Sequence, residues 1–169
     1  MTTTSTSITG GCLCGAIRYE STAPPQMAGA CHCRMCQRWT GAVAVMTVAL
    51  DTETFRFTRG EPRVYMASPL LERHFCADCG SSLMHRYAVA PYGPNVARVG
   101  IGTLDDQSMV TAPNFHFGIE SHVDGWLEVR EGAVVINADE DPGLGDACEA
   151  LGIEWTGLRL AGNPPTAEP

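Results

Sequence analysis

The stretch Gly10-Gly-Cys-Leu-Cys-Gly15 places two cysteines one residue apart between glycines. A similar stretch, Phe75-Cys-Ala-Asp-Cys-Gly80, follows more than 60 residues later. Because glycine adopts positive φ angles readily, both stretches can curl around a small central ion. Zinc binds thiolates tetrahedrally, and closed structural sites often take two ligands from each of two such turns. We therefore predict a structural zinc site on Cys12, Cys14, Cys76 and Cys79, which would couple folding to metal.

A third cluster, Cys31-His-Cys-Arg-Met-Cys36, holds three more cysteines within six residues. Three protein ligands and one exchangeable position are the pattern of a catalytic zinc site. Spacing alone also allows other pairings of the seven thiols, and a histidine could instead complete a second structural site. His32 is poorly placed for that role because it lies between two of the cysteines. The other histidine candidates are His74, His85, His116 and His122.

The charge of the chain argues against nucleic acid. It has 169 residues, with 11 Lys and Arg against 19 Asp and Glu, a net charge of −8 and a pI of about 5.0. Nucleic-acid binding depends on basic residues that neutralise phosphates, so we expect no such partner.

The N-terminal sequence and the cysteine spacing both favour a cytoplasmic protein. The first residues have neither a basic start nor an apolar stretch, and no apolar run approaches the ~20 residues of a membrane span. We therefore expect no contact with a membrane. In a reducing compartment, cysteines clustered in this way favour metal over disulfides. Cys148 stands alone, and we predict that it is a small buried apolar residue.

Short alternating or β-branched segments between glycines and prolines predict a mainly β fold with short helical turns. The predicted strands include residues 16–20, 42–50, 96–101, 114–119 and 133–136. Residues 54–58 and 63–67 are predicted to pair around a turn, while 37–40 and 145–151 are predicted to be helical. We expect a flexible tail over residues 1–8, one zinc-binding catalytic domain over 9–140, and a partly disordered extension over 141–169.

The three cysteine motifs, with their neighbours and in this order, resemble the glutathione-dependent formaldehyde-activating enzyme family. The resemblance runs from about Thr9 to Trp126 and implies an Mss4-like, zinc-bound β-sheet fold. It implies two zinc ions per chain: a structural one on Cys12, Cys14, Cys76 and Cys79, and a catalytic one on Cys31, Cys33 and Cys36. The activity it implies is that of a carbon–sulfur lyase, which joins formaldehyde to glutathione as S-hydroxymethylglutathione.

The substrates implied are a small thiol, such as glutathione, and an aldehyde. Arg38 and Trp39 directly follow the three-cysteine cluster and could hold a carboxylate-bearing thiol, or be a solvated cation and a core aromatic. His122 stands where the family usually has lysine or arginine, and it is a third candidate thiol contact. Trp126 is expected to pack in the core. The alternative function is a non-catalytic zinc scaffold that binds a thiol or a protein, and the sequence leaves the oligomeric state open.

Overall fold

The structure is a computed structural model that describes residues 7–88 and 95–153. Its eleven described strands form two sheets, which confirms the mainly β prediction. The strands of the smaller, antiparallel sheet are β1 (Ile8–Gly11), β2 (Arg18–Ser21) and β5 (Phe55–Arg59). The strands of the larger sheet are β3 (Met27–Cys31), β4 (Val45–Asp51), β6 (Arg63–Ser68), β7 (Leu71–Phe75), β8 (Ser82–Tyr87), β9 (Val96–Gly100), β10 (Phe115–Phe117) and β11 (Val134–Ile136).

Helical structure is confined to short segments. The α-helices are α1 (Arg34–Thr40) and α2 (Pro142–Leu151). Single 3-10 turns cover Ile101–Thr103, Gln107–Met109, Ile119–Ser121 and Ala138–Glu140. No helix within the described residues is long and apolar enough to cross a membrane. Most of the predicted tail and the last part of the predicted extension lie outside the described ranges.

The smaller sheet has the order β1-β2-β5, and the larger has the order β11-β10-β3-β4-β9-β8-β7-β6. Strand β10 runs parallel to both β3 and β11, while the other neighbours in the larger sheet are antiparallel. The prediction that residues 54–58 pair with 63–67 is wrong, because β5 pairs with β2 and β6 pairs with β7. Between β5 and β6, Gly60 has a φ of 60° and Pro62 has no N–H to donate, so these two strands do not pair as a hairpin. The chain instead passes there from the smaller sheet to the larger one.

The main core lies between the two sheets. Tyr19 of the smaller sheet and Val48, Leu50 and Val99 of the larger one are almost fully buried there. Ile8, at the end of the predicted tail, belongs to β1 and is 1% exposed. Burying side chains of this size stabilises a fold by about 1.5–3 kcal/mol each, so this contact holds the two sheets together.

A second core cluster lies under α2. Leu144, Ala147 and Cys148 of this helix pack against Leu71 and Phe117 of the larger sheet. The helix begins after Asp141, whose carboxylate accepts a hydrogen bond from Gly143 N, and it has proline in its first turn. These start signals explain why it begins three residues before the predicted segment. The prediction that Cys148 is buried is correct, since it is 5% exposed.

One row of residues across the larger sheet positions the candidate site. Ala49 of β4 is paired with Arg98 of β9, Arg98 with His85 of β8, and His85 with Arg73 of β7. Residues directly opposite each other in neighbouring strands project from the same face of a sheet. Arg73, His85 and Arg98 therefore share one face.

Candidate metal centres and active site

The first cysteine group joins the two glycine-rich turns. The sulfurs of Cys12, Cys14, Cys76 and Cys79 all lie within 4.8 Å of one another. The Sγ atoms of Cys12 and Cys14 are 3.5 Å apart, and those of Cys14 and Cys76 are 3.8 Å apart. A tetrahedral ion with Zn–S bonds of ~2.3 Å separates its sulfurs by about 3.8 Å. The group therefore fits a closed four-thiolate site.

The backbone around this group is shaped for an anionic cluster. Gly15 and Gly80 have φ angles of 77° and 73°, which side-chain-bearing residues rarely adopt. Ile17 N donates a hydrogen bond to Cys12 Sγ at 3.2 Å, and Ser81 Oγ lies 3.2 Å from Cys79 Sγ. The Ser81 hydrogen bond is the main reason that the pKa of Cys79 falls to about 5. Thiolate is the form that binds metal, so this hydrogen bond favours metal binding by Cys79.

The second group consists of Cys31, Cys33 and Cys36. Cys31 ends β3, Cys33 precedes the first turn of α1, and Cys36 lies three residues further along the same helical face. The Sγ atoms of Cys31 and Cys33 are 3.4 Å apart, and all three sulfurs lie within 4.8 Å of one another. No fourth Cys, His, Asp or Glu of residues 7–88 and 95–153 belongs to this group. The donor set fits a metal ion with one position left for another ligand.

Titration within the three-cysteine group is uneven. Hydrogen bonds with Cys31 and Cys33 hold the pKa of Cys36 well below its usual value, and the positive charge of Arg73 lowers it further. The same sulfur contacts, together with burial, raise the pKa of Cys31 well above its usual value. Metal binding must release the protons that the three thiols still carry.

Arg73 is a site residue that the sequence did not reveal. It is 2% exposed, its Nη2 lies 3.6 Å from Cys36 Sγ, and its guanidinium carbon lies 4.5 Å from the centre of the Trp39 ring. Its Nη1 has no hydrogen-bond partner among the described residues. A buried cation in this position compensates the excess negative charge that three thiolates leave on a divalent ion. The sequence signal that could have indicated Arg73 is its position: it is a charged residue at an inward-facing position of β7, the strand that leads into the Cys76 turn.

His85 lies beside the same cluster. It is 3% exposed, and burial lowers its pKa to about 3, so the imidazole is neutral at ordinary pH. Its ring meets the edge of Trp39 at 6.2 Å and of Tyr87 at 6.1 Å, and its Nδ1 has no partner among the described residues. Burial also raises the pKa of Tyr87, which stays protonated.

The three predicted thiol contacts lie in different places. Arg38 is exposed, whereas Trp39 is half-buried and packs on Arg73. His122 is bound to protein atoms: its Nε2 lies 2.6 Å from Leu127 O, and its ring lies 5.0 Å from that of His32. The prediction that Trp126 packs in the core is wrong: it is 75% exposed.

The other histidines are not part of the three-cysteine group either. His32 Nε2 and His116 Nδ1 lie 2.9 Å apart, and burial is the main reason that the pKa of His32 falls to about 4. His74 instead contacts Glu72 at 3.2 Å. These contacts give each histidine a protein partner.

Two small cavities border the three-cysteine group, and a wider cavity shares lining residues with one of them. A cavity of about 40 Å³ is lined by Cys31, Thr47, His85, Tyr87 and Arg98 together with Gly29, Ala30, Phe115 and Phe117. A smaller one, of about 20 Å³, touches Cys33 and Cys36, and it shares His85, Tyr87 and Phe117 with the first. A wider one of about 310 Å³ begins at Trp39 and shares Thr47 and Arg98 with the first. The cysteines therefore border a small space that adjoins a larger one.

Fold and site together define a mainly β protein with one four-cysteine and one three-cysteine group, each able to hold a metal ion. A family model described as "Glutathione-dependent formaldehyde-activating enzyme" matches residues 7–121, and the chain belongs to this family. That range contains all seven clustered cysteines. It ends before His122, Trp126 and α2.

Two proteins and one solved structure are similar to this chain. A protein of Halomonas elongata, provisionally named as a glutathione-dependent formaldehyde-activating enzyme, is 27% identical over 130 residues, which are 72% of this chain and 80% of that protein. An uncharacterised lyase of Schizosaccharomyces pombe is 28% identical over 78 residues, 46% of this chain and 56% of that protein. A crystal structure of a Rhodobacter sphaeroides protein aligns with a TM-score of 0.49 and 21% identity, covering 62% of this chain and 97% of that one.

Proposed function

We propose that the protein is a zinc-dependent carbon–sulfur lyase that forms or cleaves the adduct of a small, glutathione-like thiol with formaldehyde or another aldehyde. The observation that carries this proposal is the three-cysteine group, which borders a cavity and has no fourth protein ligand among the described residues. Family membership supports the choice of reaction. The eight free cysteines suit a reducing compartment, and we place the protein in the cytoplasm.

In the forward reaction the thiol sulfur forms a bond to the aldehyde carbon. The carbon–oxygen double bond becomes a single bond, and the proton lost by sulfur ends on oxygen. The reverse reaction breaks the same carbon–sulfur bond and restores the double bond. No oxidant or reductant is needed.

Each part of the site has a distinct role in this proposal. Cys31, Cys33 and Cys36 would hold the ion, which when bound lowers the pKa of a nearby thiol and polarises a carbonyl oxygen. The neutral His85 borders the cavity, and its imidazole can hydrogen-bond to the thiol or to the aldehyde oxygen there. The cavity of about 40 Å³ has room for roughly three water-sized groups, which suits a small aldehyde beside a sulfur atom. Holding both reactants there removes the entropic cost of their encounter.

The four-cysteine group would hold the structural zinc. It ties the turn before β2 to the turn between β7 and β8, and its thiolates fill a tetrahedral site. An ion closed in this way has no position for a substrate, so its contribution is to folding.

The test measures zinc by elemental analysis and adduct formation by exchange NMR with glutathione and formaldehyde. We expect two zinc ions per chain and a rate above that of the spontaneous reaction. Cys31→Ser should lower zinc to about one per chain and remove the acceleration, whereas Cys148→Ala, a buried cysteine that belongs to neither group, should keep both. Two bound zincs without acceleration would refute the enzymatic proposal and favour a non-catalytic binding module.

A further inference from the structure

Building on the proposed function, we infer that Arg98 forms a carboxylate subsite, and that the thiol substrate carries a carboxylate a few bonds from its sulfur. Arg98 lines both the cavity of about 40 Å³ and the cavity of about 310 Å³. Cys31 borders the first cavity as well. A ligand whose sulfur reaches the three-cysteine group therefore brings its next few atoms to Arg98.

Arg98 is available for such a ligand. Arg18, Arg56 and Arg86 each form an ion pair with an acidic side chain. Arg98 is half-buried and forms no ion pair with any described residue, and its guanidinium carbon lies 6.0 Å from the centre of the Tyr87 ring. An arginine held on an aromatic face keeps its planar donors directed and ready for bidentate contact with a carboxylate.

The charges of the site favour an anionic partner. Three thiolates leave a divalent ion with one net negative charge, and Arg73, in contact with Cys36, offsets it. His85, between the two arginines on the sheet, is neutral. The charge of Arg98 then remains uncompensated before the substrate binds, which favours an anionic ligand at this position.

The wider cavity can hold the rest of such a ligand. Its lining includes Ala42, Val45, Met46 and Met84 with the hydroxyls of Thr40 and Thr103. This surface suits an extended chain with a few polar groups. Arg38, the arginine that the sequence singled out for this role, is exposed and lines none of the three cavities.

The experiment is calorimetric titration of the zinc-loaded protein with three thiols of similar size: 3-mercaptopropionate, 3-mercapto-1-propanol and cysteamine. We expect the wild-type protein to bind the carboxylate thiol about 10-fold to 100-fold more tightly than the neutral one, and cysteamine most weakly. Arg98→Gln should reduce the preference for carboxylate over alcohol to about 2-fold or less, and Arg98→Lys should restore part of it. Arg38→Gln is the matched control and should keep the full preference.

Zinc content and thermal melting of each variant are measured alongside, so that a folding defect is recognised. If Arg98→Gln does not fold, the thiol preference of Arg98→Lys decides whether the inference holds. If Arg98→Gln and Arg98→Lys bind thiols with the wild-type preference, the inference is overturned while the proposed function stands. If the zinc-loaded wild-type protein binds no thiol at all, the proposed function fails and takes the inference with it.

Discussion

Replacing Arg73 with methionine removes the cation beside Cys36 and keeps a long apolar side chain against Trp39. The nearest guanidinium nitrogen lies 3.6 Å from the sulfur. With an effective dielectric constant of ~20, full charges at that distance attract by about 5 kcal/mol, which is an upper bound. The net value is smaller because the buried guanidinium has lost its hydration. Removing a hydrogen-bonding partner of a metal ligand typically weakens metal binding by about 10–100-fold, or roughly 1.4–2.7 kcal/mol.

We therefore expect Arg73→Met to weaken zinc binding at the three-cysteine group by that factor and to leave the four-cysteine group unchanged. Competition with a chromophoric chelator resolves the two sites, so the four-cysteine group is an internal control. The metal-free variant should unfold with a free energy no lower than that of the metal-free wild type, because a buried charge with an unpaired Nη1 has been removed. Arg73→Lys should recover part of the lost affinity.

Two results would refute this reasoning. One is an unchanged affinity at the three-cysteine group in Arg73→Met. The other is an equal loss at both sites, which would show that the substitution acts through the fold and not through the charge beside Cys36.

Three further perturbations follow from the packing and titration of the site. Gly118→Ala should weaken metal binding at the three-cysteine group in a chelator competition, because a Cβ there would lie 2.7 Å from the backbone nitrogen of Cys33. Gly125 has a similar φ and open space around it, so Gly125→Ala should leave metal binding unchanged. Equal effects of the two substitutions would contradict this packing. The pKa of His85 is about 3 in the folded protein and about 6.5 in the unfolded chain, so the free energy of unfolding should fall as pH drops below 6.5, by about 2 kcal/mol at pH 5. In denaturant melts, the free energy of unfolding of His85→Asn should depend less steeply on pH. An unchanged dependence would be evidence against a neutral buried imidazole. Leu144→Ala should destabilise the fold by about 2–5 kcal/mol and Leu151→Ala, on the half-exposed side of the same helix, by much less; similar melting points would mean that α2 does not pack as described.

Local sequence predicted the parts of the protein that local chemistry determines. The cysteine turns follow from glycine and zinc stereochemistry, and the structure brings the two turns of the four-cysteine group together over the 62 residues that separate Cys14 from Cys76. The strand predicted over residues 96–101 is β9 (Val96–Gly100). The sequence did not predict strand β3, because its Ala-Gly-Ala centre has low β propensity. The segment is extended because it pairs with β4 and β10.

The residues around the three-cysteine group could not be found in this way. Arg73, His85 and Arg98 meet because of the register between three strands, and register depends on the whole sheet. Arg38 is close to the cysteines in sequence, but α1 is short and turns it to solvent. Trp126 has the size of a core residue but follows the tight turn at Gly125 on the surface. Sequence proximity therefore indicated Trp39, which packs on Arg73, but not the residues that the neighbouring strands contribute.

The most direct test of the account is zinc X-ray absorption on the fully loaded protein, with and without added thiol. Seven cysteines shared by two ions predict about 3.5 sulfur neighbours per zinc at ~2.3 Å, rising towards four when the thiol is added. Four protein ligands at both ions, with a spectrum that the thiol does not change, would contradict the open three-cysteine site.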